Sequence, residues 1–160
     1  MKFRGYRRPD GSVGIRNHVL ILPTVGCAAE TSRIIAGLVQ GSVSLINQNG
    51  CGEVEGNRVL TRQVLAGFAA NPNVYGTLLI GLGCELNPVD EMAAIIGSRT
   101  NKPIHKLVIQ EEGGTVNTIC RGVKIALRHG NARKLHHVTI RTGPIEYCSD
   151  EGATRLAAAR

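Results

Sequence analysis

His18-Val19-Leu20-Ile21-Leu22-Pro23-Thr24-Val25-Gly26-Cys27 decides the fold. Its apolar residues run on without the polar alternation of a half-buried strand. A strand written this way is covered on both faces, which is the mark of a parallel sheet. Glu30 to Val39 follows, with Ile34, Ile35, Leu38 and Val39 at helical spacing. Strand then helix repeats along the chain. Val43–Asn47 reads as a strand, and Asn57–Ala70 as a helix with Leu60, Val64, Leu65 and Phe68 on one face, stopped at Asn71-Pro72-Asn73. Tyr75–Ile80 is a strand, and Pro88–Ile96 a helix with Met92, Ile95 and Ile96 facing in. Pro103–Ile109 is a strand, and Thr115–His129 a helix with Ile119, Val123 and Leu127 stacked and Gly130 as its C-terminal cap.

Four strand–helix alternations with right-handed crossovers predict an α/β fold, a three-layer Rossmann-like or flavodoxin-like sandwich around a parallel sheet of four to five strands. Residues 1–16 read as a polar N-terminal arm, with a turn at Pro9-Asp10-Gly11. Residues 17–130 form the α/β domain, and residues 131–160 an irregular tail. In that tail His137–Arg141 has the pattern of a fifth strand and Thr154–Arg160 that of a short helix.

The chain has 160 residues, one domain's length where domains run about 100–150 residues. With 42% hydrophobic and 19% charged residues, disorder is excluded. No apolar run approaches the roughly 18–20 residues of a membrane span, and no signal peptide is visible. A cytoplasmic protein with free thiols is therefore expected. The net charge of +7 raises nucleic-acid binding. The basic residues are scattered, however, and only 3% of residues are aromatic, too few for base stacking. An anionic small substrate accounts for the charge, and no nucleic-acid partner is expected.

Three of the five cysteines directly follow a glycine: Gly26-Cys27, Gly50-Cys51 and Gly83-Cys84. With 20 glycines in 160 residues, chance gives fewer than one such pair. All three fall where a strand hands over to a helix, and in a parallel sheet those junctions share the carboxyl edge, where open α/β folds bind ligands. Glycine admits close backbone approach, and a following helix N-terminus favours a thiolate. The competing reading is that each cysteine packs as a small hydrophobe, which is preferred for Cys120. At the fourth junction, Gly113-Gly114-Thr115 precedes a helix, an arrangement suited to an anion with Thr115 as the cap, although an ordinary capped loop is the preferred reading of this stretch taken alone. There is no G-x-G-x-x-G or Walker motif, and no C-x-x-C pair of the zinc modules.

Gly5-Tyr6-Arg7-Arg8-Pro9-Asp10-Gly11-Ser12-Val13-Gly14-Ile15-Arg16-Asn17 resembles the opening of the central domain of altronate and galactarate dehydratases, and of sulfolactate sulfo-lyase large subunits. The likeness continues through Leu22–Cys27, Asn49-Gly50-Cys51-Gly52, Leu65–Asn73, Ile80–Glu85 and Ile109–Thr115, ending near residue 130. It implies elimination of water from a 2,3-dihydroxy sugar acid, with divalent iron or manganese as Lewis acid. Cys27, Cys51 and Cys84 carry over as the matching cysteines. Three thiolates suit iron or an iron–sulfur cluster, and Glu85 and Glu111 are the acid/base candidates by position.

The chain departs from the family at Gly26, where asparagine is common, at His18, where tyrosine is, and at Asn71, where histidine is. The family's C-terminal domain with its Gly-Gly-Ser-Asp motif is not matched. A separate C-terminal dehydratase subunit is accordingly one expected partner. A homodimer is the other, formed through an unpaired strand containing Val138 and Ile140, with Ile145 nearby. Two further readings stand beside the dehydratase domain: a non-catalytic dimerisation and assembly module, and a thiol-based metal-binding protein.

Overall fold

The structure is a computed structural model and describes residues 2–132 and 138–141. The elements are β1 (Lys2–Arg7), β2 (Val13–Gly14), β3 (His18–Pro23), α1 (Ala29–Leu38), β4 (Ser42–Ser44) and α2 (Glu55–Ala70). They continue with β5 (Val74–Gly81), α3 (Val89–Gly97), β6 (Ile104–Val108), α4 (Thr115–Ala132) and β7 (Val138–Arg141). The central sheet has four parallel strands in the order β4–β3–β5–β6. That is the 2-1-3-4 order of a flavodoxin-like sandwich, and its topological switch point lies between β3 and β5.

The alternation of side chains along a strand builds two cores from one sheet. Val19 and Ile21 of β3, with Leu78 and Ile80 of β5, face a layer that includes Ile35 and Ala126, from α1 and α4. Leu20, Leu22 and Leu79 face the opposite layer, where α2 brings Leu65, Ala66 and Ala69 and α3 brings Met92 and Ile96. The unbroken apolar run at the start of the domain is thus buried on both sides, as a three-layer fold requires.

Several expectations are corrected. Residues 1–16 are not an arm of loop alone. β1 pairs antiparallel with β2 and with β7 in a second, three-stranded sheet. The strand seen in the tail therefore joins β1 and is not a fifth strand of the parallel sheet. Gly130 lies inside α4, which runs on to Ala132, and does not cap it. On α2, the four residues grouped on one face do not share an environment: Leu65 is buried, whereas Leu60, Val64 and Phe68 are exposed. This helix carries two apolar stripes, and periodicity alone does not choose between them. The stripe containing Ala66 and Ala69 faces in, because small residues let the helix sit close on the sheet. Leu38 and Leu127 are likewise exposed. Thr154–Arg160 lies outside the described residues.

The segment from Arg8 to Asn17 clasps the amino edge of the sheet. Buried Arg8 donates from Nε to the Pro72 carbonyl at 2.7 Å, from Nη1 to Asn17 Oδ1 at 2.7 Å and from Nη2 to the Arg16 carbonyl at 3.1 Å. Asn73 Oδ1 accepts from the amides of Ile15 and Arg16, both at 3.0 Å. Gly14 lies so close that a Cβ there would overlap the Pro72 carbonyl oxygen.

At the same edge His129, only 6% exposed, packs edge-on against His105 and Tyr75, and its Nε2 has no hydrogen-bond partner among the described residues. Burial, helped by the nearby His105, pulls the imidazole down from 6.5 to about 4. The neutral form is the folded form, so the stabilisation is complete above the unfolded value and lost as pH falls from about 6.5 towards 4. Up to about 3 kcal/mol is at stake, at roughly 1.4 kcal/mol per unit. Urea unfolding across this range should show the loss in the wild type. His129→Phe, which keeps a ring and removes the titrating nitrogens, should flatten that part of the profile.

Candidate functional site

The three Gly-Cys junctions sit on loops at the carboxyl edge of the sheet, and these loops are tied to one another. Gly26 N–H donates to the Asn49 carbonyl at 3.0 Å, joining the loop after β3 to the loop after β4. Buried Asn47 reinforces this, its Nδ2 donating to the Thr24 and Asn49 carbonyls, each at 3.3 Å. Leu86 N–H donates to the Gly50 carbonyl at 2.9 Å, joining the loops after β4 and β5. Ile109 and Gln110 donate to the carbonyls of Gly81 and Leu82 at 2.9 and 3.1 Å, bringing in the loop after β6.

Each glycine before a cysteine lies where a side chain would collide. A Cβ on Gly26 would meet the Gln48 carbonyl oxygen at 2.9 Å. On Gly50, which has φ 106°, it would overlap the Thr24 carbonyl oxygen. On Gly83, with φ 125°, it would overlap Gln110 Oε1. At Gly26 and Gly50 the glycine thus marks a backbone crossing with the thiol carried beside it, whereas at Gly83 the obstacle is the movable end of the Gln110 side chain and the left-handed φ is what calls for glycine.

Cys27, Cys51 and Cys84 are all exposed, so the reading that they pack as small hydrophobes does not describe them. Cys120 is also exposed, on α4, which corrects its assignment as a packing residue. Only Cys27 stands at a helix start, in a one-turn 3-10 helix (Gly26–Ala28) leading into α1. Cys51 and Cys84 lie four and five residues ahead of Glu55 and Val89, where α2 and α3 begin. Helix-terminus stabilisation of a thiolate therefore applies at one of the three. Among the described residues, no three His, Cys, Asp or Glu side chains stand together in a group able to hold a metal ion.

Glu85 is 9% exposed and its carboxylate is held at both oxygens. Thr24 Oγ1 donates to Oε1 at 3.0 Å, across the switch point from the β3 side, and the Gly83 amide donates to Oε2 at 2.6 Å. Glu111 occupies different surroundings. It is exposed and lines a cleft of about 500 Å³ outside β6, with Asp90, Lys106 and Arg121. Arg121 pairs there with Glu112 at 2.7 Å, and Lys106 with Asp90. No cysteine lines this cleft. Gly113 and Gly114 both have left-handed φ, 76° and 111°. Because α4 starts at Thr115, the capping position is Gly114, which corrects the assignment of Thr115 as cap. Thr118 Oγ1 donates back to the Gly114 carbonyl at 2.9 Å.

Sequence reasoning missed the polar hub beneath Cys51. Glu53 Oε2 accepts from the Gly50 amide at 3.1 Å and from Asn87 Nδ2 at 3.2 Å, while Oε1 accepts from Thr61 Oγ1 at 2.7 Å. Asn87 is fully buried, and Arg62 Nε donates to its Oδ1 at 2.8 Å. Arg62 also reaches the Leu86 carbonyl at 2.9 Å and Glu91 at 2.6 Å. A carboxylate directly after Gly-Cys-Gly, two residues before a helix, was the available signal.

Residues 5–132 match the family described as D-galactarate dehydratase/Altronate hydrolase, second domain. An altronate dehydratase of Escherichia coli (strain K12) is 32% identical over 117 residues, covering 67% of this chain and 24% of that protein. One from Bacillus subtilis (strain 168) is 34% identical over 100 residues, covering 56% and 20%. A (2R)-sulfolactate sulfo-lyase subunit beta from Chromohalobacter salexigens is 33% identical over 126 residues, covering 78% and 31%. The chain therefore spans less than a third of the length of these relatives, and no solved structure matches it. Interlocked loops at a switch point, with the Gly-Cys junctions at their crossings, are thus found in a chain that belongs to the D-galactarate dehydratase/altronate hydrolase family through its second domain.

Proposed function

We propose that this chain supplies the switch-point half of a sugar-acid dehydratase, a site that eliminates water from an altronate- or galactarate-like 2,3-dihydroxy acid. The observation that carries the reading is the meeting of the Cys27, Cys51 and Cys84 junctions with Glu85 on one sheet edge, in a chain of this family.

Removing a proton α to a carboxylate needs a base, and expelling the β-hydroxyl needs an acid. Glu85 is the preferred base. Thr24 and the Gly83 amide fix the direction of its carboxylate, so little reorganisation accompanies proton transfer. Glu111 faces the cleft outside β6 and serves as the acid only for a substrate that reaches across the β6 loop. The start of α4, at Gly113-Gly114-Thr115, offers the positive end of a helix dipole to the substrate carboxylate. Arg62 is engaged with Asn87, Leu86 and Glu91, so its part is to hold the loops.

Cys27, Cys51 and Cys84 are the donors proposed for a divalent iron or manganese ion or an iron–sulfur cluster. Soft thiolates favour iron over the harder ion. The thiols are solvent-accessible on loops that share hydrogen bonds, and closing a site requires them to turn towards one another. Such a metal, when bound, supplies Lewis-acid stabilisation of the enediolate formed on proton loss.

Anaerobic titration with cobaltous ion, a spectroscopic stand-in for ferrous iron, tests the donor set. We expect thiolate-to-metal charge-transfer absorption near one equivalent, lost in Cys27→Ser, Cys51→Ser and Cys84→Ser and kept in Cys120→Ser. Equal absorption in all four variants would reject this site.

The catalytic assignment is read separately. With ferrous iron, altronate or galactarate, and the remaining domains supplied by a dehydratase relative, Glu85→Gln should lower kcat by about a hundredfold or more, the lower end for removal of a positioned general base. Unchanged kcat in Glu85→Gln would remove Glu85 from the mechanism.

A further inference from the structure

Two residues where the cysteine loops touch have both main-chain polar groups engaged. Gly50 N–H donates to Glu53 Oε2 at 3.1 Å, and the Gly50 carbonyl accepts from the Leu86 amide at 2.9 Å. Leu86 in turn offers its carbonyl to Arg62 Nη2 at 2.9 Å. Cys51 directly follows the first of these residues, and Cys84 precedes the second by two. Glu53 joins the two sides. Its Oε2 also accepts from Asn87 Nδ2 at 3.2 Å, and its Oε1 from Thr61 Oγ1 at 2.7 Å. Asn87 is fully buried, and Arg62 Nε donates to its Oδ1 at 2.8 Å. One carboxylate thus ties together the loop after β4, the loop after β5 and helix α2.

We propose that Glu53 is a positioning residue, which with Asn87 presets Cys51 and Cys84 as a pair of thiols for one thiophilic ligand. Glu53 acts through Gly50 and not on the ligand. Gly50 has φ 106° and lies against the backbone of Thr24 and Val25, so the peptide ahead of Cys51 has little freedom. The bond to Glu53 removes more of it. The direction in which the Cys51 side chain leaves the backbone is then set, while the thiol still turns about χ1. Leu86 sets the other loop in the same way.

The side chains whose direction is fixed, Cys51 and Cys84, are exposed, so no core packing is gained at these loop tips. What is gained is a high effective concentration of one thiol at the other. Cys27 stands outside the lock, since its loop is held through Asn47 and Asn49 instead. The inference rests on the reading of these thiols as donors to one site, and its test reads them without metal.

Phenylarsine oxide, a trivalent arsenical, is the probe. It forms two As–S bonds, and the two thiol protons leave with its oxygen as one water. The wild type should bind one equivalent and lose two of its five titratable thiols. Capture should be lost in Cys51→Ser and Cys84→Ser and kept in Cys27→Ser and Cys120→Ser. Glu53→Ala should weaken it by about tenfold or more, as the effective concentration of the second thiol falls. Glu53→Gln should restore it. Its amide oxygen can accept from Gly50 and Asn87, and its nitrogen can donate to Thr61 Oγ1. Thr61→Val, which removes one of the three donors to Glu53, should give a smaller loss in the same direction. It decides the question where circular dichroism shows Glu53→Ala unfolded. Alkylation of Cys51 and Cys84 singly by iodoacetamide should keep its wild-type rate in these variants, because the lock sets direction and not exposure.

A wild type that forms no two-thiol adduct, or capture equal in wild type, Glu53→Ala and Thr61→Val, would overturn the proposal. A parallel change in single-thiol alkylation would do so too, by giving Glu53 a general structural part. Capture that depends on Glu53, without cobalt absorption, would reject the metal reading and leave the lock standing. Cobalt absorption lost in the three cysteine variants, with capture indifferent to Glu53, would do the reverse.

Discussion

Backbone crossing at the carboxyl edge is the constraint on which the rest of the site depends. Gly26 and Gly50 lie where the backbone of another loop leaves no room for a Cβ, and Gly83 is required by its left-handed φ of 125°. The loops after β3, β4, β5 and β6 are then held by main-chain hydrogen bonds from Gly26, Leu86, Ile109 and Gln110. Loops of an α/β fold usually hold a site as separate fingers on a rigid sheet. Here they form one fabric, and a strain on any crossing is transmitted to its neighbours. The polar hub of Glu53, Asn87, Thr61 and Arg62 lies beneath it. Removing a partner from a buried network of this kind leaves unsatisfied groups, at a cost of about 1–3 kcal/mol each.

The two edges of the sheet divide the labour. The Arg8–Asn17 segment, within the range that matches the family, clasps the amino edge through Arg8, Gly14 and Asn73. It lies at the end of the sheet opposite the thiols. Its part in the account is to close the amino edge over Pro72, which holds the start of β5 and so the strand that delivers Gly83, Cys84 and Glu85.

The parallel sheet was legible because β3 and β5 are written as unbroken apolar runs, and an apolar run of that length between turn signals has few other uses. The Gly-Cys junctions were legible for a related reason, since a glycine that must admit another backbone is a sequence-visible constraint. Burial on α2 was not legible. Leu65 and Leu60 look alike in a helical pattern, and only Ala66 and Ala69 approaching the sheet decide which stripe turns in. β1 was hidden because its partner β7 lies more than a hundred residues away, and local patterning carries no trace of a pairing that distant. Glu53 and Asn87 escaped because each looks like an ordinary loop residue until the loops cross.

Amide hydrogen exchange on Gly50→Ala tests the interlocked edge most directly. The account predicts that the amides of Gly26, Leu86 and Gln110, on three different loops, lose protection together, while His18, bonded to Asn73 at the amino edge, keeps its own. Loss of protection confined to the loop around residues 49–52 would contradict it, and would leave the thiols on independent loops.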